Sequence, residues 1–317
     1  MKHEISPHFF VSDEVATALS SQQPIVALES TVITHGLPYP QNRQLAKEME
    51  AEIRLCGVVP ATIAMIDGNV LIGIEENALD RLAQDSNMFK ISSRDIGAAI
   101  AKGRSGGTTV AATMYIAYKA GIRVFATGGI GGVHRQVGRD KFQQTWDISA
   151  DLPELSKTPL IVICAGAKAI LDLRATLEYL ETWGIPVVGY GVDEFPAFYA
   201  LSSGLRLGLR AESSADVVSI ARAHWGIGME SAILVANPPP EATALSYEQI
   251  DAAVQQALRE AADQNITGQQ VTPFLLKCMS ELTHGSSLQS NLSLLKNNAR
   301  VAAGIAVELT NVEKLAR

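Results

Sequence analysis

Short apolar runs recur along the chain, and polar or amphipathic stretches separate them. Unbroken runs rich in β-branched residues are typical of strands that are buried on both faces of a parallel sheet. Between two such runs, Leu45, Met49 and Ile53 repeat at helical spacing and predict an amphipathic helix over 42–55, with Asn42 as its N-cap. The strands predicted in this way cover 24–31, 89–91, 123–127, 160–167, 187–190 and 232–236.

Strands that alternate with helices predict an α/β fold, here a three-layer α-β-α architecture with a mostly parallel sheet. One antiparallel hairpin is expected where 62–66 and 70–74 flank the tight-turn sequence Asp67-Gly68-Asn69. Residues 1–23 are predicted to be a polar N-terminal lead that precedes the first core strand. Residues 245–317 are predicted to form a helical C-terminal layer. The helices predicted in that layer cover 247–265, 272–282 and 290–315. No long linker or repeat interrupts the pattern, so a single domain is expected over 1–317.

Composition and charge exclude several classes of protein. The 317 residues include 26 Lys and Arg against 33 Asp and Glu, a formal net charge of −7, without a basic cluster, so a nucleic-acid partner is not expected. The three cysteines lie far apart, which disfavours disulfides and a zinc knuckle. The first residues lack an apolar signal core, and no apolar run approaches the ~18 residues of a membrane span. We therefore expect a cytoplasmic protein without a membrane partner.

Two chemically reactive side chains are predicted at strand ends. Lys168 follows the apolar run that begins at Leu160, and Glu29 ends the first run. Open α/β sheets bind ligands at the carboxyl ends of their strands, and apolar surroundings favour the neutral, nucleophilic amine of a lysine. The alternative is a lysine at a helix entry that reaches solvent, and the run alone favours this second interpretation because buried lysines are rare.

Two glycine-rich segments precede or follow predicted strands. The segment 103–109 ends in Thr108-Thr109 before a helix over 110–120, where hydroxyls and free N–H groups suit an anion. The segment 128–132 carries four glycines around Ile130. Neither matches a Walker A loop or the dinucleotide fingerprint, so a nicotinamide enzyme is disfavoured. By pattern alone the glycines of 128–132 fit a structural turn as well as a phosphate loop.

A third candidate lies at Asp147, Ser149 and Asp151, which alternate as residues on one side of a strand do. One of these carboxylates would suit a lone hard cation such as magnesium or manganese, with waters completing its shell. An ordinary N-cap for the following segment fits the same residues. The spacing alone leaves both interpretations open.

Taken together, several ordered motifs resemble the pseudouridine-5′-phosphate glycosidases, and the resemblance covers nearly the whole chain from Ile25 onward. The motifs are Ala27-Leu28-Glu29-Ser30-Thr31, His35-Gly36, the segment from Thr127 to Arg135, the segment from Asp147 to Asp151, Cys164-Ala165-Gly166-Ala167-Lys168, Tyr179-Leu180-Glu181-Thr182, Val235-Ala236-Asn237-Pro238, Thr272-Pro273-Phe274-Leu275-Leu276 and Ser290-Asn291-Leu292.

The resemblance implies a reversible cleavage of pseudouridine 5′-phosphate to uracil and ribose 5-phosphate through a lysine Schiff base. It implies Lys168 as the nucleophile and Glu29 as the proton donor. It also implies that Asp147 binds one divalent metal ion per subunit, with Mn²⁺ as the expected ion. It also implies a nucleotide substrate and a homotrimer. The implied substrate-contacting residues are Lys90, Val110, Ser149, Ala150 and Asp151, and His134 and Asn291 also fall in family site motifs.

One segment departs from the family pattern. Residues 136–146 are longer and more basic than the family leads us to expect, which bears on the shape of a loop over the phosphate and metal. Three other functions stay open at this point: an N-glycoside phosphate hydrolase, a related pentose-phosphate lyase or synthase that acts on another base, and a non-enzymatic sugar-phosphate-binding module. A carboxylate and a lysine paired at strand ends favour an enzyme over the binding module.

Overall fold

The structure, a computed structural model, describes residues 6–135, 146–264, 266 and 271–315. Its strands are β1 (Phe9–Val11), β2 (Ile25–Leu28), β3 (Val59–Ile66), β4 (Asn69–Ile72), β5 (Phe89–Ile91), β6 (Gly106–Thr108), β7 (Val124–Ala126), β8 (Val133–His134), β9 (Ile161–Cys164), β10 (Leu171–Asp172), β11 (Val187–Tyr190), β12 (Leu209–Ala211) and β13 (Ile233–Ala236). Its helices are α1 (Asp13–Ser20), α2 (Gln41–Leu55), α3 (Glu76–Gln84), α4 (Ile96–Ala101), α5 (Val110–Lys119), α6 (Asp151–Leu155), α7 (Leu173–Thr182), α8 (Ser214–Gly226), α9 (Tyr247–Asp263), α10 (Val271–Leu282) and α11 (Ser286–Leu315).

One large sheet dominates the fold, with the strand order β1-β4-β3-β2-β7-β9-β13-β11-β12. From β3 to β12 every neighbouring pair on this path is parallel, and β5 and β6 extend the sheet beside β3. The apolar runs explain this arrangement, because all residues of β2, β9 and β13 are buried. Helices cover both faces: α11 packs on β2, β7 and β9 beside α2 and α8, while α5 packs on β2 and β3 beside α6. The predicted three-layer fold is confirmed.

The predicted hairpin is also confirmed. β3 and β4 are antiparallel, with Ile66 paired to Asn69 across the turn. Asp67 and Gly68 both have positive φ, at 50° and 79°, as a two-residue turn between strands requires. The helical C-terminal layer is formed by α9, α10 and α11. In the part of the chain that the structure describes, no helix is long and apolar enough to cross a membrane.

The structure differs from the sequence prediction at several elements. The expected polar lead contains β1 and α1, and the glycine segment 103–109 contains the strand β6. Asn42 is not an N-cap: it lies buried inside α2, where its amide donates to the carbonyls of Ile33 at 2.7 Å and Ala83 at 2.9 Å. Helix α7 begins at Leu173, so Lys168 does not lie at the helix entry that the alternative interpretation placed there. Residues 136–145 of the departing loop lie outside the described residues.

The strand order gathers four chain segments at one edge of the sheet. β2, β7, β9 and β13 are consecutive parallel neighbours, so their carboxyl ends lie side by side. Glu29 follows β2, Thr127 follows β7, the segment that leads to Lys168 follows β9, and Asn237 follows β13. This is the edge at which open α/β sheets bind their ligands.

Candidate active site

A cavity of about 370 Å³ opens at this edge, a volume typical of small-molecule sites. We call it the polar cavity. It brings together nine of the ten residues that the sequence analysis singled out. These residues are Glu29, Lys90, Val110, His134, Asp147, Ser149, Ala150, Asp151 and Lys168.

A second, smaller cavity of about 60 Å³ adjoins the first, and we call it the apolar chamber. Glu29, Thr31, Lys90 and Lys168 line both spaces, so these four side chains stand where the two meet. Asn291, the tenth predicted residue, lines the apolar chamber from α11. The remaining lining is mostly apolar or small and comprises Val32, Gly36, Gly128, Gly129, Phe198, Leu276 and Leu295, with His35 as its other polar member.

Glu29 is a buried carboxyl group. Only 7% of the residue is exposed, and the Thr127 hydroxyl donates a hydrogen bond to its Oε1. Burial raises the pKa of Glu29 above its ordinary value, while the nearby Lys168 charge and the Thr127 hydrogen bond oppose that rise. The outcome is a carboxyl group that holds its proton more tightly than a free glutamate does, as a proton donor requires.

Lys168 is held by backbone contacts of a tight turn. Gly166 adopts a φ of +87°, and a Cβ there would overlap the carbonyl of Pro196. The N–H of Ile130 donates to the Gly166 carbonyl at 3.1 Å, and the N–H of Lys168 donates to the Ile130 carbonyl at 3.1 Å. The turn therefore delivers the lysine to the cavity before any helix begins, which replaces the alternative of a helix-entry lysine.

The nearby thiol is not a competing nucleophile. Cys164 ends β9 and is fully buried. Burial raises the pKa of its thiol to about 12, so the reactive thiolate is absent at neutral pH. Lysine amines are therefore the nucleophiles that this part of the cavity offers.

Two further basic groups face the cavity, and the pKa of each is lowered. Burial lowers the pKa of Lys90, and the positive charge of Lys168 acts in the same direction. Burial also lowers the pKa of His134, against the opposing effect of Asp147. Both groups thus release a proton more readily than they do in water, and a bound anion would favour their charged forms.

Asp147 is the predicted metal ligand. Its side chain is 52% exposed, and Oδ2 lies 3.9 Å from Nδ1 of His134. Among the residues that the structure describes, no three His, Cys, Asp or Glu side chains cluster as a metal cage would require. A half-exposed carboxylate of this kind suits a hydrated, oxygen-bound ion better than a metal held by a cage of protein ligands.

Asp151 has a defined structural task in addition to lining the cavity. Its carboxylate accepts the N–H of Gly131 at 2.8 Å and the N–H of Ala111 at 2.9 Å. The second bond satisfies an amide in the first turn of α5, where a negative charge is stabilising. Asp151 thereby fixes the Gly131 backbone and the start of α5, including Val110, against each other.

The glycines of 128–132 are explained by close packing inside the protein. A Cβ on Gly129 would lie 2.6 Å from the Phe198 ring, and a Cβ on Gly131 would overlap Ser149. The structural-turn interpretation therefore accounts for these two positions. Thr108, one of the hydroxyls expected near an anion, is buried and donates to the carbonyl of Ile63 at 2.7 Å.

Several cavity residues were missed by the sequence analysis. Thr31, Ser92 and Arg94 line the polar cavity, and Phe198 lines the apolar chamber. Thr109, whose hydroxyl was expected near an anion, does line the polar cavity. The strand-end position of Lys90 was a usable signal for Ser92 and Arg94, which lie in the segment after β5. Phe198 has a φ of 64° in a long connection after β11, which no local pattern reveals.

Comparison with known proteins supports a shared architecture. Residues 14–308 match the family described as indigoidine synthase A like protein. A protein of Caldanaerobacter subterraneus subsp. tengcongensis, named pseudouridine-5′-phosphate glycosidase, is 49% identical over 304 residues, which cover 96% of this chain and 97% of that protein. A protein of Herpetosiphon aurantiacus with the same name is 52% identical over 299 residues, which cover 94% of this chain and 97% of that protein.

Two solved structures are similar over nearly their full length. A prealnumycin C-glycosynthase in complex with ribulose 5-phosphate has a TM-score of 0.88 at 39% identity, covering 97% of this chain and 98% of that one. An indigoidine synthase A-like protein from Thermotoga maritima has a TM-score of 0.87 at 33% identity, covering 98% and 100%. The sequence and structure comparisons thus agree on one family.

Proposed function

The chain belongs to the indigoidine synthase A like family, and we propose that within it the protein acts as a pseudouridine-5′-phosphate glycosidase. The reaction reversibly cleaves the C–C bond between ribose C1′ and uracil C5, giving uracil and ribose 5-phosphate. The observation that carries the proposal is the meeting of an amine, Lys168, and a buried carboxyl, Glu29, in one cavity.

The chemistry explains why both groups are needed. A carbon leaving group is not freed by protonating the glycosidic atom, as the oxygen of an ordinary glycoside is, so the two-carboxylate route does not apply. We assign Glu29 as the acid that protonates the ring oxygen while the ribose opens, and Lys168 as the amine that adds to C1′.

The bond then breaks with the nitrogen lone pair assisting. After uracil C5 is protonated, the electron pair of the C1′–C5 bond returns to the uracil ring, and the nitrogen lone pair forms a C1′=N imine on Lys168. Water hydrolyses the imine, which releases ribose 5-phosphate and restores the amine. The cycle consumes one water molecule overall.

The two cavities suggest where each part of the substrate binds. We assign the sugar phosphate to the polar cavity, where Lys90, Arg94 and His134 supply positive or donor groups. We assign the uracil ring to the apolar chamber, where Phe198 offers an aromatic surface and Asn291 an amide that pairs with ring N–H and C=O groups. C1′ would then lie between them, beside Lys168 and Glu29. The predicted contacts of Val110, Ser149, Ala150 and Asp151 stay predictions.

Reductive trapping tests the assignment of Lys168. Incubation with ribose 5-phosphate followed by borohydride should leave a pentose-phosphate adduct on the peptide that contains Lys168, and Lys168→Ala should abolish it. Lys90→Met, which removes the other amine of the cavity, is the control: at a ribose 5-phosphate concentration high enough to offset weaker phosphate binding, its adduct should still form on Lys168. An adduct on the Lys90 peptide, or none in the wild type, would contradict the assignment.

We further propose that Asp147 holds one Mn²⁺ ion, which would supply positive charge for the substrate phosphate. The support is the chemistry of the donor, an exposed carboxylate that suits a hydrated hard cation. Chelation should abolish activity, and added Mn²⁺ should restore it in the wild type but not in Asp147→Asn. Full activity of metal-free Asp147→Asn would refute the site.

A second candidate function is C-glycoside synthesis with another ring system. It is favoured by the similarity to the C-glycosynthase structure at 39% identity. Comparing turnover of pseudouridine 5′-phosphate, uridine 5′-phosphate and free pseudouridine, and of ribose 5-phosphate with alternative aromatic acceptors, distinguishes the two functions. The homotrimer and the cytoplasmic location expected from the sequence stay predictions.

A further inference from the structure

A chain of buried hydrogen bonds connects Glu29 to the C-terminal helix. The Thr127 hydroxyl donates to Oε1 of Glu29. The carbonyl of Thr127 accepts the side-chain amide of Asn298 on α11 at 2.8 Å, and Oδ1 of Asn298 accepts the amide of Asn237 at 2.8 Å. All four residues are at most 7% exposed.

The same residues tie together three strand ends of the active-site edge. The N–H of Thr127, after β7, donates to the carbonyl of Ile163 in β9 at 3.0 Å. The N–H of Asn237, after β13, donates to the carbonyl of Cys164 at 2.8 Å. From helix α11, the side chain of Asn298 links Thr127 to Asn237. Its Nδ2 and Oδ1 both have partners, so its orientation is fixed by the network.

We propose that Thr127 is a positioning residue for Glu29, and that Asn298 holds Thr127 in place from the C-terminal helix. The proposal rests on the proposed function, in which Glu29 is the proton donor. Because the Thr127 hydroxyl occupies Oε1, the transferable proton is confined to Oε2. A carboxyl group with one defined proton-bearing oxygen is ready to protonate the ribose ring oxygen without first reorienting.

Thr127 also acts on the protonation of Glu29. The charged groups around that carboxyl are Lys168 and Lys90, which favour the carboxylate, and Asp151, which favours the acid. Burial is the largest influence and raises the pKa of Glu29, while the Thr127 hydrogen bond lowers it. Removing the hydroxyl should therefore raise the pKa further. Since the protonated form is the active one, the alkaline decline of kcat should move to higher pH.

Thr127→Val, which keeps the shape of the side chain, is the central variant. We expect kcat on pseudouridine 5′-phosphate to fall roughly 10- to 100-fold, because one hydrogen bond to a carboxyl group that becomes ionised during the reaction is lost. KM should stay within about threefold of the wild type. The alkaline decline of kcat should shift to higher pH. Thr127→Ser should restore both kcat and the pH of this decline, because it retains the hydroxyl.

A matched control separates this role from mere packing. Thr158→Val removes another buried hydroxyl that donates to a buried carboxylate, Glu154, at 2.6 Å outside both cavities. It should leave kcat and the pH profile unchanged, even where it lowers the melting temperature. A folded Thr127→Val with the kcat and pH profile of the wild type would overturn the proposal.

A measurement without substrate keeps the inference independent of the proposed function. Infrared difference spectra across a pH titration should show a protonated-carboxyl band that is missing in Glu29→Gln. This band should persist to higher pH in Thr127→Val, and Asn298→Ala should broaden it or shift it because Thr127 is released. An unchanged band and midpoint in both variants would overturn the inference. A wild type inactive on pseudouridine 5′-phosphate would contradict only the proposed function, and the infrared titration would then decide the inference.

Discussion

Glu29 makes a residue-scale prediction about stability. Burial raises its pKa in the folded protein above the ordinary value of 4.5, which approximates the unfolded chain. Above that value the unfolded glutamate ionises while the folded one keeps its proton, so the stability that the neutral group contributes is lost as pH rises toward the folded pKa. In that window the wild type loses up to about 1.4 kcal/mol of unfolding free energy per pH unit.

Glu29→Gln removes this loss, because glutamine stays neutral and its Oε1 still accepts the Thr127 hydroxyl. The unfolding free energy of the variant relative to the wild type should increase with pH above 4.5, as measured by urea denaturation in a pH series. Glu48→Gln is the control of opposite sign, since hydrogen bonds from Gln44 and Lys296 lower the pKa of Glu48. A stability difference for Glu29→Gln that is independent of pH would contradict the buried-acid interpretation.

Residue types at strand ends could be predicted from the sequence, but their partners could not. Glu29 and Lys168 follow apolar runs, so their place at the sheet edge follows from the pattern. The bond from Thr127 to Glu29 joins residues 98 positions apart, and it depends on β2 and β7 being neighbours. A linear pattern of apolar residues does not specify which strands pair, and so it does not reveal this contact.

At the scale of elements, the loop after β7 carries a prediction about its glycines. A Cβ on Gly131 would overlap Ser149 and lie 2.8 Å from Oδ2 of Asp151. Gly131→Ala must displace both side chains and disturb the bond by which Asp151 accepts the Gly131 N–H. We expect a loss of roughly 1–3 kcal/mol in unfolding free energy, together with an increase in KM for the phosphorylated substrate.

Gly97→Ala is the matched control for this variant. Gly97 lies in α4, and a Cβ there would meet nothing within 4 Å. Alanine in a helix is about 0.5–1 kcal/mol more favourable than glycine, so this control should be neutral or stabilising, with KM unchanged. Denaturant unfolding and steady-state kinetics on both variants check the pair. Equal behaviour of the two would show that the close approach at Gly131 is unimportant.

Elements with strong periodicity could be predicted, whereas short strands of small residues could not. The strands β2, β9 and β13 are apolar throughout, and α2 repeats at helical spacing, so local pattern is enough for them. β6 consists of Gly106, Gly107 and Thr108, and it forms because β3 and β5 accept it as a neighbour. A Cβ on Gly106 would collide with the backbone of Phe89 in β5, so these glycines serve close strand pairing. Their composition alone is typical of a loop, so the sequence pattern does not predict this strand.

At the scale of the whole molecule, the site depends on parts of the chain that lie far apart in sequence. Glu29 comes from the first third, Lys168 from the middle, and Asn291 and Asn298 from the last helix. Helix α11 packs across β2, β7 and β9, and its residues reach both the apolar chamber and the Thr127 carbonyl. The C-terminal layer is therefore part of the active-site architecture as well as a cover for the core.

The separation of a polar cavity from an apolar chamber predicts that the 5′-phosphate is required. Lys90, Arg94, His134 and the Thr109 hydroxyl line the polar cavity, and Lys90 and Lys168 both stand where the two spaces meet. A phosphate held at a remote point of the sugar supplies binding energy that orients C1′ against Lys168, so its removal should lower turnover as well as affinity.

Charge-assisted contacts are worth on the order of 1.5–3 kcal/mol each, so the loss of two should lower kcat/KM roughly 10²- to 10⁴-fold. Steady-state kinetics with pseudouridine 5′-phosphate and free pseudouridine measures this ratio directly. Lys90→Met should lose more activity on the phosphorylated substrate than on the free nucleoside, because it removes one of the cationic groups assigned to the phosphate. If the wild type cleaves free pseudouridine within about threefold of the phosphate's efficiency, a difference under ~1 kcal/mol, then the polar cavity does not bind the phosphate and its basic residues serve another purpose.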